Sequence, residues 1–405
     1  MKRKKLILRI FIGFAAIIIV ALLGIAFFPA SPYQPPDRDL KDESALSLDA
    51  KTGWYLLPDE SERLLTWGPE NGMIMYGFGE SRDDLKRISF SASTADKFVS
   101  RSSTAPKRLE FIDDFEALLI DPQKETQLIL RSETPPYETR EVTFNNGNIQ
   151  LSGLHFVPSG PGPHPAVTFI HGSGVSDRDG FWYLSPADYL AKHGIMVLLP
   201  DKRGAGKSQG EWHTASFEDF AEDALAGVEL LRQQDSVDSS RIGLMGFSQG
   251  GWIAPLAASK SESVAFAISV SASAAKPNEQ LNYEVRNEIA GSGAPGFVAS
   301  ALAPLFARRA KMPRKFWWEL NGQFNPISYW SNLNIPVLMI YGERDANVNV
   351  QRSLARLNAV GVLDRPGIEI KLFPNLAHGL IREDSGWLDP EYLECVEAFI
   401  NQGDG

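Results

Sequence analysis

Six short runs in the last two thirds of the chain are apolar at nearly every position: 166–170, 196–199, 242–245, 264–270, 337–341 and 368–373. A strand with one face in water alternates apolar and polar residues. Uninterrupted runs of this length therefore mark strands buried on both faces. Helical patterns lie between most of them. The clearest places Phe217, Phe220, Ala221, Ala224, Leu225, Val228 and Leu231 on one face, with Ser216 as N-cap and Asp219 three residues on. Buried strands alternating with helices predict an α/β fold over 137–402, a mostly parallel sheet covered by helices on both faces. At its start Val142 and Phe144 alternate, Asn145-Asn146-Gly147 turns, and Leu151, Gly153, His155 and Val157 alternate again, which predicts a hairpin. The stretch 271–335 has no strand run and holds Phe306, Phe316, Trp317 and Trp318. It is expected to form a helical cap over the carboxyl edge of the sheet, where ligands bind in such folds.

The remainder of the chain divides differently. Between residues 46 and 135, short apolar or alternating runs (54–57, 73–78, 87–90, 117–120, 127–130) recur between turn residues, which predicts a small β-rich domain. Pro32, Pro35 and Pro36, with Pro29 just before them, make 31–45 a stiff linker. Residues 1–30 read as a membrane anchor or signal segment. Lys2, Arg3, Lys4 and Lys5 precede 19 uncharged residues, 10–28, which as a helix would span roughly 28 Å, about one hydrocarbon thickness. The expectation is an uncleaved anchor with the body of the chain outside the cytoplasm, the alternative being secretion after cleavage. Forty Lys+Arg against 50 Asp+Glu leave a net charge of −10, so the chain lacks the positive field that a nucleic-acid partner requires. The single cysteine, Cys395, excludes an intrachain disulfide and a Cys-based metal site. Its place on an apolar helical stretch with Leu393 and Val396 predicts a core-facing, inert thiol.

The chemistry concentrates after the apolar runs. Gly246-Phe247-Ser248-Gln249-Gly250-Gly251 follows 242–245 directly and opens a helical stretch, 252–259. A G-x-S-x-G turn between strand and helix is tight enough that the positions two before and two after the serine tolerate little side chain. It holds the serine at a helix N-terminus, where backbone amides favour developing negative charge. A serine hydroxyl is a poor nucleophile near neutral pH and needs a base oriented by an acid. Of six histidines, His378 lies in a loop just after 368–373, whereas His155, His164 and His193 have structural readings and His213 sits in a polar loop. For the acid, Asp345 follows 337–341, with Glu343 as the alternative. Asp345 could equally cap the helix after it.

The chain order Ser248, Asp345, His378 is that of the α/β-hydrolases, and residues 137–402 resemble an α/β-hydrolase-fold serine hydrolase, most similar to bacterial esterases, dienelactone-hydrolase-like enzymes and serine-aminopeptidase-like enzymes. The resemblance implies that Ser248 is the nucleophile, His378 the general base and then acid, and Asp345 the orienting carboxylate. His171-Gly172-Ser173-Gly174 stands where the family places its oxyanion loop. The backbone N–H groups of Gln249 and Ser173 are then the oxyanion donors, with Gly174 as the alternative to Ser173 and His171 structural. The turn from Asp201 to Ser208 resembles the family's D-x-R-G-x-G-x-S scaffold. Asp177-Arg178-Asp179 reads as a hydrogen-bonded turn rather than a metal site.

No phosphate-binding loop, zinc pattern or dinucleotide fingerprint is present, so no cofactor and no metal are implied. The expected activity is hydrolysis of carboxylic esters through an acyl-enzyme. The alternatives are an aminopeptidase or amidase, an acyltransferase, or a non-catalytic binding module on the same scaffold. The expected partners are a small-molecule ester or short peptide and a membrane reached through the N-terminal helix. The basic cluster Arg308, Arg309, Lys311, Arg314 and Lys315 reads as a solvated face, or else as a site for a substrate carboxylate or acidic lipid head groups.

Overall fold

The computed structural model of the protein describes residues 51–402 except 52, 60–61, 69–71, 78–87, 95, 101–104, 114, 132–136, 179 and 383–387. The apolar run 10–28 and the linker 31–45 lie outside the described residues, and among the described residues no helix is long and apolar enough to cross a membrane.

Eight strands, β9 (Tyr137–Asn146), β10 (Ile149–Pro158), β11 (His164–Ile170), β12 (Met196–Pro200), β13 (Val237–Phe247), β14 (Phe266–Val270), β15 (Val337–Gly342) and β16 (Ile368–Phe373), form one sheet. Their order is β16-β15-β14-β13-β11-β12-β10-β9. The strands from β11 to β16 pair in parallel, and the predicted hairpin β9–β10 adds the antiparallel edge. The sheet divides the core in two because successive strand side chains point to opposite faces. Leu244 and Met339 pack on one face with Phe217, Phe220 and Trp252; Met245 and Ile340 pack on the other with Leu190 and Phe399. Double burial is why these strands lack polar alternation. The helix Phe217–Arg232 starts with the predicted capping box, Ser216 accepting from the Asp219 amide at 3.1 Å and Asp219 from the Ser216 amide at 2.8 Å.

Strand β13 runs five residues further upstream than its apolar signature. The segment from Val237 to Arg241 extends it, pairing Val237 with His164 at the amino end of β11 before the register shifts to Ala166 opposite Ile242. The cap consists of helices Pro277–Gly291, Gly296–Lys311, Lys315–Asn321 and Ile327–Trp330 between β14 and β15. Buried Asn321 ties it down, accepting from the Phe217 amide at 2.8 Å and donating to the Ala215 carbonyl at 3.0 Å.

The β-rich segment closes into a barrel of eight antiparallel strands: β1 (Gly53–Leu56), β2 (Glu62–Gly68), β3 (Gly72–Gly77), β4 (Ile88–Thr94), β5 (Lys97–Ser100), β6 (Arg108–Phe111), β7 (Glu116–Ile120) and β8 (Gln127–Arg131). Closure comes from β1 pairing with β8, Tyr55 opposite Arg131. Leu65 faces inward with Tyr55, Phe90 and Phe98, while Leu64, pointing outward, joins the second core of the α/β domain. There Trp54 packs as well, with Lys192 Nζ 4.3 Å from its ring. The barrel is thus fastened to the helix Phe181–Lys192 by apolar contact and a cation–π pair.

Candidate active site

In the sheet order the chain moves from β11 to β12 on one side, then returns to place β13 on the other. That reversal opens a crevice outside the carboxyl ends of β11 and β13. Ser248 follows β13 and Gly172-Ser173 follows β11, while Asp345 and His378 follow β15 and β16. Parallel strands therefore deliver all four segments to one edge.

The turn at Ser248 is as tight as the sequence requires. Ser248 itself sits at φ 51°, in the left-handed region where a non-glycine residue stores strain. A Cβ on Gly246 would lie 2.2 Å from the Gly250 carbonyl oxygen, and one on Gly250 would lie 2.1 Å from that of Ile170. The Ser248 amide donates to the Val270 carbonyl at 2.8 Å, fastening the turn to β14.

His378 Nε2 lies 3.0 Å from Ser248 Oγ, and His378 Nδ1 lies 2.7 Å from Asp345 Oδ2. An ionised carboxylate only accepts, so Nδ1 carries the proton and Nε2 is left to accept from the serine hydroxyl. The other oxygen of Asp345 accepts from the amides of Asn347 and Val348, at 2.7 and 2.8 Å. The capping alternative and the acid role are therefore compatible. Asp345 caps a turn and meets His378 at once, and the helix Val350–Ala359 is capped by Asn349 instead. Glu343, the alternative acid, is exposed, and it is Asp345 that accepts from His378 Nδ1.

Gln249 and the loop of Gly172, Ser173 and Gly174 line the same cavity as Ser248. Gln249 immediately precedes the helix Gly250–Ala258, so its amide belongs to the set of N-terminal donors without intrahelical partners. The Gly172 amide donates to the Tyr183 hydroxyl at 2.9 Å, which leaves Ser173 and Gly174 as the loop's candidate donors. His171 is buried against Tyr183, with Nε2 2.5 Å from the Pro200 carbonyl, and burial pulls its pKa down to about 4. Asp201 binds Arg178 through both oxygens, at 3.0 and 2.6 Å, and also accepts from the amides of Arg178 and Lys207. The two turns expected as scaffolding thus hold each other. Among the described residues no group of three or more His, Cys, Asp or Glu is placed to hold a metal ion.

Residues 161–315 match the sequence profile of the family described as Serine aminopeptidase, S33. The chain is 27% identical over 273 residues to esterase EstD of Thermotoga maritima, an alignment covering 64% of this chain and 64% of that protein. It is 26% identical over 241 residues to the uncharacterized peptidase YtmA of Bacillus subtilis, covering 58% and 84%. With dipeptidyl-peptidase 5 of Porphyromonas gingivalis the identity is 22% over 254 residues, covering 56% of this chain and 33% of that one. The chain thus spans less than two thirds of EstD and a third of the dipeptidyl peptidase. A solved structure of a Pyrococcus furiosus esterase superposes with a TM-score of 0.52 at 22% identity, over 67% of this chain and 96% of that one. This chain has the α/β-hydrolase fold and is similar to serine hydrolases built on it. Its relatives come from both the esterase and the peptidase branches of that fold.

A cavity of about 770 Å³ opens above Ser248 between the sheet edge and the cap. Trp182, Trp317 and Trp318 form apolar walls, whereas Phe316 of the same cap run is 59% exposed and faces away. Of the basic cluster only Arg314 lines the cavity. Arg308 and Lys315 are exposed, and Lys315 pairs with Glu319 at 3.4 Å. His213 does not line it. Cys395 is half-buried against the second core, and burial raises its pKa, which keeps it a thiol. Sequence reasoning missed Glu284, whose carboxyl enters from the cap helix Pro277–Gly291. Leu281, Val285 and Ile289 turn one face of that helix to the cap core, and Gln280 and Glu284, four apart, line the cavity from the adjoining face. Burial pushes the Glu284 pKa up and Asp345 adds to this, while Gln280 and His378 pull it down.

Proposed function

We propose that this hydrolase cleaves carboxylic esters through an acyl-enzyme on Ser248. The observation that carries the reading is the continuous hydrogen-bond line Ser248–His378–Asp345, at 3.0 and 2.7 Å, at the floor of an open, tryptophan-walled cavity. Ser248 Oγ attacks the carbonyl carbon as its proton passes to His378 Nε2. The carbonyl oxygen becomes an oxyanion, received by the amides of Gln249 and Ser173. Collapse breaks the bond to the leaving oxygen, which takes the proton from His378 and departs as the alcohol. A water then gives its proton to His378 and attacks the acyl carbon, and the second collapse returns the proton to Ser248 and frees the acid. Asp345 stays ionised throughout and stabilises the imidazolium. The esterase relatives support this substrate class.

A second reading, aminopeptidase or amidase action with the same residues, is favoured by Glu284. A carboxyl on the cavity wall, its pKa raised by burial, offers an acceptor for a cationic amine, whose approach would pull that pKa back down. A panel of aryl esters of increasing acyl length beside aminoacyl anilides separates the two. Turnover of esters with anilides inert is the expected result, and the reverse preference would replace the first reading with the second. For the N-terminal segment we keep the anchored arrangement with the body outside the cytoplasm, carried by Lys2 to Lys5 and the run 10–28. Activity of a cytoplasm-only reporter fused after Gly405 would reverse it.

A further inference from the structure

Lys202, in the turn after β12, has no role in the mechanism above, yet its side chain is buried beneath the oxyanion loop. Its Nζ donates to the carbonyl of Gly172 at 2.7 Å and to that of Gly174 at 3.1 Å. The rings of Phe220 and Trp212 lie 4.9 and 5.8 Å from the ammonium. The neighbouring Asp201 gives its oxygens to Arg178 and to backbone amides, so the acceptors holding Lys202 are the two loop carbonyls. The Lys202 amide also donates to the Ser176 carbonyl at 3.1 Å, tying the far end of the loop to the same turn.

The Gly172 carbonyl and the Ser173 N–H belong to one peptide unit. A trans peptide is planar, with its oxygen and its hydrogen on opposite sides, and the Gly162-Pro163 bond is the cis one among the described residues. Fixing the oxygen on the Lys202 side therefore fixes the direction of the N–H. A cation on the carbonyl also polarises the peptide and strengthens its N–H as a donor. We propose that Lys202 is a positioning residue for the oxyanion hole, its ammonium clamping the Gly172 and Gly174 carbonyls so that the Ser173 N–H is aimed at the oxyanion formed above Ser248. This rests on the acyl-transfer reading.

The clamp depends on charge. Burial brings the Lys202 ammonium down to about 7. The donor is charged below that value and is lost as pH rises through it. The titratable and charged groups around it are Asp201 on its own turn, already bound to Arg178, with Tyr183 and His171 from the elements packed against the loop. His171 titrates near 4, outside this window.

Lys202→Met fills similar volume without a donor. Loss of one oxyanion donor costs about 100- to 1000-fold in rate; a donor present but misaimed should cost about 10- to 100-fold in kcat, with KM for an aryl ester held within about twofold. The affinity for a trifluoromethyl ketone, which binds as an oxyanion adduct, should fall by the same factor as kcat. Unchanged kcat, or KM and ketone affinity weakening together, would overturn the proposal. Fluorophosphonate labelling of the parent separates this failure from that of the catalytic reading, because a parent that reacts at Ser248 keeps the latter. Should the Met variant not fold, the His378→Ala protein labelled with 15N-serine answers instead. Its Ser173 amide resonance should move as pH rises through about 7, and a resonance that stays fixed from about 6 to 9 would overturn the clamp.

Discussion

Replacing Asp345 by asparagine changes one atom and reverses the hydrogen-bond logic of the site. In the native arrangement one oxygen accepts from the amides of Asn347 and Val348 and the other from His378 Nδ1. An asparagine must choose. Turning its NH₂ toward the two amides would leave two buried donors without acceptors, at about 1–3 kcal/mol each. It will therefore keep its oxygen on the backbone and point its NH₂ at His378. Nδ1 must then accept, the proton moves to Nε2, and Ser248 loses its base. A triad carrying this wrong tautomer is slowed by about 10⁴-fold, equivalent to about 5 kcal/mol of barrier. Because the backbone bonds survive, the melting temperature should stay close to that of the parent. The assay is kcat for an aryl ester alongside a thermal melt. Activity within tenfold of the parent in a folded Asp345→Asn protein would refute the tautomer argument, and a large loss on Glu343→Gln would move the acid to the exposed neighbour.

Two further outcomes follow from the same geometry. Gly250→Ala places a methyl 2.1 Å from the Ile170 carbonyl oxygen; overpacking of this kind costs about 1–3 kcal/mol, so chemical denaturation should show lower stability and the displaced turn a lower kcat, whereas a parent-like midpoint would mean the turn is looser than described. Glu284→Gln removes the cavity's cap-side carboxyl while retaining its hydrogen-bond capacity, and should lower kcat/KM for a cationic aminoacyl ester relative to a neutral ester; an unchanged ratio would show that no substrate cation meets this group.

The α/β domain was legible because double burial writes itself as unbroken apolar runs. Strand β16 was also predicted to the residue, as Ile368–Phe373, although it is an edge strand whose Glu369 and Lys371 alternate with apolar residues. The polar start of β13 was not, since its residues from Asp238 to Arg241 fall in a register shift between the Val237 and Ile242 pairings and are not held to the two-sided burial of the strand's apolar part. In the barrel, alternation announced strands but not closure. That depends on Tyr55 meeting Arg131, a contact set by distant partners and not by local pattern. The glycines and serine of the turn were readable because steric demand leaves so few residue types possible there. Glu284 was not, because a carboxyl on a polar helix face looks the same whether it meets water or a cavity. Lys202 was read as scaffold for a related reason: its target is a backbone carbonyl, which no side-chain motif reports.

The central claim is that Ser248 is the nucleophile. The most direct measurement is peptide mass spectrometry of the protein after reaction with a fluorophosphonate, with ester hydrolysis followed in parallel. The account predicts a single phosphonyl adduct on Ser248, accumulating in step with the loss of activity. An adduct on another residue, or activity that disappears while Ser248 stays unmodified, would contradict it.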